Sequence, residues 1–353
     1  MDITPFLKLL VQKNGSDLFF TANAPVKIKV EGVIASVGKM SLTGQQVEAA
    51  AFGIMFDRQR EQMKSAWEAD FAIELEEEGA RFRVNIFRQR GEMAMVLRLI
   101  PNEIPSMESL RLPETLKQLI MHKRGLILMV GATGSGKSTT LASMLSYRNA
   151  KMPGHILTIE DPIEYSHPNH KCIVNQREVG VDTHSYSAAL KGAMRESPDL
   201  IMIGEIRDRE TMSTALELCN TGHLCVSTLH ANNANQAMER VINLFPHENH
   251  KQLLMDLSIN LRAVMSQRLV TGLDSKRRIP AVEIMLNNPH ISDLILKGEL
   301  SEIKEAMTES GMGGMKTFDQ ALLDLYTEGV IDLEEALNNA DSRTNFEAKI
   351  NFA

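Results

Sequence analysis

The sequence predicts an α/β protein whose larger part is a parallel sheet with crossover helices, preceded by a smaller α+β part. Three observations carry that prediction. The segment GATGSGKS at residues 131 to 138 follows the apolar run Leu126 to Val130 and precedes a helical stretch. Strand-like and helical runs then alternate as far as residue 229, the pattern of a parallel sheet wound through helices. Before residue 100 the strand-like runs are short and follow one another, and Pro101, Pro105 and Pro113 separate the two regimes.

Taken in order, Ile3, Phe6, Leu7 and Leu10 recur at helical spacing until Asn14-Gly15 ends the pattern. Strands are expected at Asp17 to Thr21, Val26 to Val30, Phe71 to Leu75, Arg81 to Phe87 and Glu92 to Leu99, with one helix over Thr43 to Lys64. Residues 1–100 thus form the N-terminal α+β domain, and 101–113 read as an extended linker. In 114–289, strands are expected at 126–130, 156–160, 200–204 and 223–229, and helices at 137–150, 185–196 and 209–220. Residues 290–353 form a polar helical C-terminal region, whose end, 341–353, is expected to lack order.

Composition narrows the class. A chain of 353 residues suggests about two domains, and 43% hydrophobic residues suffice for buried cores. The formal charge of -7 argues against a broad nucleic-acid surface, and no basic stripe with interleaved aromatics is present. No apolar run is long enough to span a bilayer, and Asp2 opens a segment without signal-peptide features, so a cytosolic protein is expected. Cys172, Cys219 and Cys225 are odd in number and form no C-x-x-C pair, which points to small core residues. The 21 Met residues are read as flexible core filling.

A strand that turns through glycines into a helix surrounds a polyphosphate with backbone N–H groups. Gly131, Gly134 and Gly136 let the backbone approach, Lys137 reaches the β and γ oxygens, and Ser138 offers its hydroxyl to Mg²⁺. The nucleotide-binding candidates are therefore Gly131, Ala132, Thr133, Gly134, Ser135, Gly136, Lys137, Ser138 and Thr139, with ATP and Mg²⁺ as ligands.

In an open parallel sheet the ligand sits beyond the carboxyl ends of the strands. Three strands here end in reactive groups: Glu160, Asp161 and Glu164 after the second, Glu205, Arg207 and Asp208 after the third, and His230 after the fourth. A carboxylate there can polarise water or hold magnesium through water, and an imidazole can sense the γ-phosphate. One acid after a strand is usually a solvated loop residue, whereas such groups on consecutive strands beside a phosphate loop point to a site.

The runs GATGSGKST, TIEDPIEY (158–165), GEIRD (204–208) and HLCVSTLH (223–230) resemble the Walker A, Asp box, Walker B and His box of the type II/IV secretion ATPases. Within that family the chain resembles the PilT/PilU branch of type IV pilus retraction motors, and FRVNIF (82–87) and VNQREVG (174–180) extend the likeness. The resemblance implies a RecA-like ATPase domain, a PAS-like N-terminal domain and a homo-hexameric ring. It further implies ATP hydrolysis that drives pilin back into the inner membrane, at whose cytoplasmic face the ring sits through an inner-membrane pilus platform protein.

The same resemblance implies roles. Glu205 is the catalytic carboxylate, and Gly204 stands where other phosphate-loop enzymes carry a magnesium-binding Asp, which shifts metal holding toward Ser138 and waters. Glu160, Asp161 and Glu164 complete the acidic site, and His230 reports the γ-phosphate. Arginines of the N-terminal strands reach nucleotide across domain or subunit boundaries, with Arg83 and Arg98 the best matches beside Arg81; read without the resemblance, they solvate one face of a strand. Two departures from the PilT pattern, Phe19 in place of His and PHISDLILKGEL after Asn288, place the chain on the PilU-type side, an accessory to a PilT-type ATPase paralogue. Ile291, Leu294 and Ile295 of that segment either contact the partner or pack on their own core. A traffic ATPase for pilus assembly or secretion and an ATP-binding subunit with dispensable hydrolysis are the alternatives. The complete acidic and His boxes argue against the second.

Overall fold

The computed structural model describes residues 1–100, 103–274, 277–309 and 313–352. The chain divides into two compact units, Met1–Glu103 with Glu164–Ser166, and Ile104–Ile163 with the residues from His167 onward.

In the first unit the order is α1 (Thr4–Gln12), β1 (Asp17–Phe20), β2 (Lys27–Val30), β3 (Val33–Ser36), α2 (Gly44–Ile54), α3 (Asp57–Ala66), β4 (Glu68–Leu75), β5 (Ala80–Gln89) and β6 (Glu92–Ile100). The six strands form an antiparallel sheet in the order β3-β2-β1-β6-β5-β4. Strand β5 shows why the sheet has one dry face: Ala80, Phe82, Val84 and Ile86 are buried, and the intervening Arg81, Arg83 and Asn85 face the other way. Leu7 and Leu10 of α1 and Val47 and Ala50 of α2 pack into the same core.

Two expectations are corrected here. The single helix foreseen over Thr43 to Lys64 is two, because Met55 turns extended (φ -80°, ψ 135°) and buries its side chain. Strand β3 was not foreseen, since all four of its residues are exposed and it carries no alternation.

The second unit runs α4 (Glu114–Ile120), β7 (Gly125–Val130), α5 (Lys137–Lys151), β8 (Gly154–Glu160), β9 (Cys172–Glu178), α6 (Tyr186–Ala193), β10 (Leu200–Ile203), α7 (Arg209–Asn220), β11 (Leu224–Leu229), α8 (Ala234–Asn243), α9 (His250–Asn260), β12 (Leu261–Thr271), β13 (Arg278–Leu286) and α10 (Pro289–Lys297). Helices α11 (Ile303–Glu309), α12 (Phe318–Thr327), α13 (Leu333–Asn339) and α14 (Arg343–Phe352) follow. The sheet order is β13-β12-β7-β11-β10-β8-β9, parallel throughout except for the edge strand β13. Every residue of β7, β10 and β11 is buried, as strands covered on both faces require, including Ser227 and Thr228 of β11.

The expected linker is no free tether over its described part: residues 104–113 belong to the second unit, where Met107 and Leu112 are buried against α4 and the sheet. Residues 101 and 102 lie outside the described residues. The expected disorder at 341–353 is likewise corrected as far as residue 352, because α14 forms there and Phe346 is fully buried among Phe318, Leu322, Ile331 and Ala336; residue 353 lies outside the described residues. Ile291, Leu294 and Ile295 are buried in the core around α9 and β12, so they offer no outward patch. All three cysteines are free and buried, and Met129, Met144, Met212, Met238 and Met265 fill the sheet's cores.

Candidate nucleotide and hydrolysis site

The glycine-rich turn from β7 into α5 has the backbone it needs. Gly134 and Gly136 have φ of +79° and +86°, a region that side-chained residues rarely adopt. A Cβ on Gly131 would lie 2.6 Å from the Gln267 carbonyl oxygen and 2.5 Å from Ser135 Oγ, so glycine is also required by space. Lys137 Nζ donates to the carbonyls of Gly131 and Ala132, both at 2.8 Å. Burial holds its pKa below the ordinary lysine value, and Glu205 nearby opposes that shift. Ser138 is exposed on the first turn of α5, as a metal-facing hydroxyl has to be.

The loop is held from behind by Gln267 of β12. Its Nε2 donates to the Ser135 carbonyl at 2.7 Å, and its Oε1 accepts from Thr140 Oγ1 at 2.8 Å. Gln267 is 2% exposed, and both ends of its amide are satisfied.

Parallel pairing brings the chemistry-bearing strand ends together. Ile203 of β10 registers with Ile159 of β8 and with Ser227 of β11, so Glu160, Glu205 and His230 leave the sheet side by side. Glu205 Oε2 accepts from Arg207 Nε at 2.7 Å, and Oε1 lies 3.2 Å from His230 Nε2. The Glu205 side chain is 13% exposed while His230 is open to solvent. Its hydrogen bond with Glu205 raises the pKa of Arg207. Glu160 is buried and accepts from Thr158 Oγ1 at 2.7 Å and from Gln176 Nε2 at 3.2 Å. The Glu178 carboxylate accepts the Ile163 N–H at 3.2 Å and so ties the acidic loop to β9.

Tyr186 completes this corner. Burial pushes its hydroxyl pKa far up, and Asp161, Glu160 and Glu205 push it the same way while Arg207 opposes them. A Cβ on Gly204 would lie 2.8 Å from Tyr186 Oη and 3.2 Å from the Ile159 carbonyl, so any side chain there has to displace Tyr186 and crowd β8. Asp208 has a structural task, capping α7 through the Thr211 N–H at 2.8 Å.

A cavity of about 380 Å³ opens beside the loop, lined by Gly131, Ala132, His230, Asn232, Gln236 and Arg240 among others. Its size is in the range of small-ligand pockets.

The structure therefore gathers Lys137, Glu160, Asp161, Glu205 and His230 in one unit. It does not gather three of the other candidates there. Glu164 groups with the first unit. So do Arg83, paired with Asp70 through Nε at 3.2 Å and a terminal nitrogen at 2.6 Å, and Arg98, whose Nε donates to Asp17 at 2.9 Å. Arg83 and Arg98 face each other across β5 and β6. Each like charge is offset by a carboxylate on the strand beyond, β4 for Arg83 and β1 for Arg98. Sequence reasoning missed the support of Gln267 and Tyr186, which lie far from the motifs and carry no local signal.

A family model described as "Type II/IV secretion system protein" matches residues 1–321. The chain belongs to this family. A relative from Pseudomonas aeruginosa, "Type IV pilus ATPase PilU", is 51% identical over 99% of the chain and 91% of its own length. A second from the same organism, "Type IV pilus retractation ATPase PilT", is 42% identical over 98% of the chain and its whole length. Among solved structures, "Crystal Structure of the Pilus Retraction Motor PilT and Bound ADP" superposes with a TM-score of 0.91 at 38% identity, with 99% of each chain covered. The fold of this family member is thus that of a retraction ATPase with its N-terminal domain, and among the described residues no helix is long and apolar enough to cross a membrane.

Proposed function

We propose that this chain is an ATP-hydrolysing motor that powers retraction of a type IV pilus, built as a hexamer and working as a PilU-type accessory to a PilT-type ATPase. The observation that carries the reading is the convergence of Lys137, Glu205 and His230 around one phosphate loop, in a chain half identical to a pilus ATPase over nearly all its length.

The geometry supports the following roles. When a phosphate enters, Lys137 Nζ exchanges the Gly131 and Ala132 carbonyls for phosphate oxygens. Glu205 orients and deprotonates the attacking water, with Arg207 and His230 holding its two oxygens. His230, open to solvent on its other side, meets the γ-phosphate. Arg83 and Arg98 exchange their aspartates for nucleotide phosphates across a domain or subunit boundary.

Mg²⁺ fits this donor set as an ion that arrives with the nucleotide. Ser138 offers an exposed hydroxyl that would hold it, and Glu160, Asp161 and Glu205 would order its waters. Among the described residues no three carboxylates, imidazoles or thiols gather into a metal cage, and Mg²⁺ on a phosphate chain needs none. Its bound charge would offset that of the phosphates.

The test is pilus retraction in piliated cells that lack the PilT-type paralogue, compared with cells whose paralogue is present but cannot hydrolyse ATP. Retraction only in the second strain supports an accessory motor. Equal retraction in both would make this chain independent, and none in either would remove it from retraction.

A further inference from the structure

Strand β12 braces two loops of the site from opposite faces. Successive side chains of a strand point to opposite sides. Gln267 holds the phosphate loop on one side, and its neighbour Ser266, fully buried, donates from Oγ to the Asn232 carbonyl at 3.1 Å. Ser266 is paired across the sheet with Glu283 of β13, so their side chains share a face. Glu283 is 3% exposed and accepts the N–H of Ala234, the first residue of α8, at 2.8 Å. Between the two anchors, Asn233 caps α8 through the Gln236 N–H.

Residues 230 to 233 form the whole connection from β11 to α8, which starts at Ala234. Ser266 fixes its backbone at Asn232 and Glu283 at Ala234, and His230 is two residues from the first anchor. A buried carboxyl is a costly way to satisfy one N–H group, since an apolar residue under an ordinary cap would do without that desolvation. Costly buried polar groups of this kind are found where position matters more than stability.

We infer that Ser266 and Glu283 are a positioning pair for His230, holding its loop so that the imidazole meets the Glu205 carboxylate. The pair acts through His230 and touches neither nucleotide nor water. The inference rests on the assignment of Glu205 and His230 under the proposed function.

The test is steady-state ATP hydrolysis by the purified full chain, with Glu283→Ala, Glu283→Gln, Ser266→Ala and His230→Ala, and with Glu283→Ala combined with His230→Ala. Glu283→Ala should lower kcat roughly tenfold, the scale on which support for a positioned imidazole acts, and leave KM within about threefold. Glu283→Gln should recover most of the loss, because its amide oxygen accepts the same N–H. In the His230→Ala background the effect of Glu283→Ala should vanish, since the residue it positions is gone. An equal factor in both backgrounds, or no change in kcat, would overturn the pairing. If Glu283→Ala does not fold, Ser266→Ala, which removes one hydroxyl, runs the same cycle. Should His230→Ala itself leave turnover unchanged, the underlying assignment falls and takes the pairing with it.

Discussion

Glu205 Oε1 and His230 Nε2 lie 3.2 Å apart although their strands are joined through the whole of α7. Parallel pairing of Ile203 with Ser227 makes neighbours of whatever leaves the two strands. The other oxygen of the same carboxylate is held by Arg207 at 2.7 Å. The Glu205 carboxylate is therefore held at both oxygens, and one holder, His230, also lines the cavity beside the phosphate loop.

His230→Ala removes that holder and, on the proposed function, a donor to the γ-phosphate. Turnover should fall on the order of a hundredfold, the cost typical of one preorganised donor, with ATP affinity little changed. Phosphate release measured beside nucleotide binding separates the two. Loss of affinity at unchanged turnover would make His230 a binding residue.

The two arginine pairs of the N-terminal unit should differ in stability. Asp17 is nearly buried, so Arg98→Ala leaves its carboxylate with the Ser16 hydroxyl at 2.8 Å and costs about 1–3 kcal/mol. Arg83 and Asp70 are both about 40% exposed, and Arg83→Ala should cost less than about 1 kcal/mol. Urea midpoints compare them. Arg83→Ala is then the cleaner probe of a nucleotide-reaching role, for which turnover should fall on the order of a thousandfold.

A side chain at Gly204 is predicted to be destabilising. With Tyr186 Oη at 2.8 Å and the backbone of β8 at 3.2–3.3 Å from a Cβ, Gly204→Ala should lose about 1–3 kcal/mol. Adding Tyr186→Phe removes the closest atom and should restore part of that loss in thermal unfolding. A stable Gly204→Ala would contradict the packing described for this corner.

Glu283 sets a pH dependence. Burial raises its pKa from 4.5 to about 7, with Asp341 adding to the rise and Lys304, Arg268 and the Ala234 N–H opposing it. The folded state thus holds a proton that the unfolded chain has lost between these values, so stability falls as pH rises through this window. The full effect is roughly 3 kcal/mol, complete above the folded-state value. Denaturant unfolding from pH 5 to 8 should show that slope, and Glu283→Gln should flatten it.

The legible part of this chain is the part where one physical demand dominates. Strands β7 and β10 are uninterrupted apolar runs because both faces are covered, and β11 is equally buried with Ser227 and Thr228 bonded to the backbone of β10 and of Gly204 just beyond it; the three strands are followed by glycine, acid or imidazole at Gly131, Glu205 and His230. Strand β12 escaped notice because Ser266, Gln267 and Arg268 break its apolar run, each being spent on a tertiary contact: the His230 loop, the phosphate loop, and Asp341 at 2.9 Å. Helix α14 was hidden by polar composition, since one residue, Phe346, supplies its buried anchor in the C-terminal cluster. Periodicity placed Ile291, Leu294 and Ile295 on one face of α10 but could not say whether that face meets the chain's own core, as it does. Arg83 and Arg98 are a like case: a solvated strand face and a nucleotide-reaching pair have the same local pattern.

The most direct test of the account is single-turnover cleavage of pre-bound ATP by wild type and Glu205→Gln. The amide keeps the side chain's volume and its bond from Arg207 but cannot take a proton. The account predicts ATP affinity near wild type with cleavage slowed by about a hundredfold or more. Cleavage at the wild-type rate would contradict it, as would loss of ATP binding at an unchanged cleavage rate.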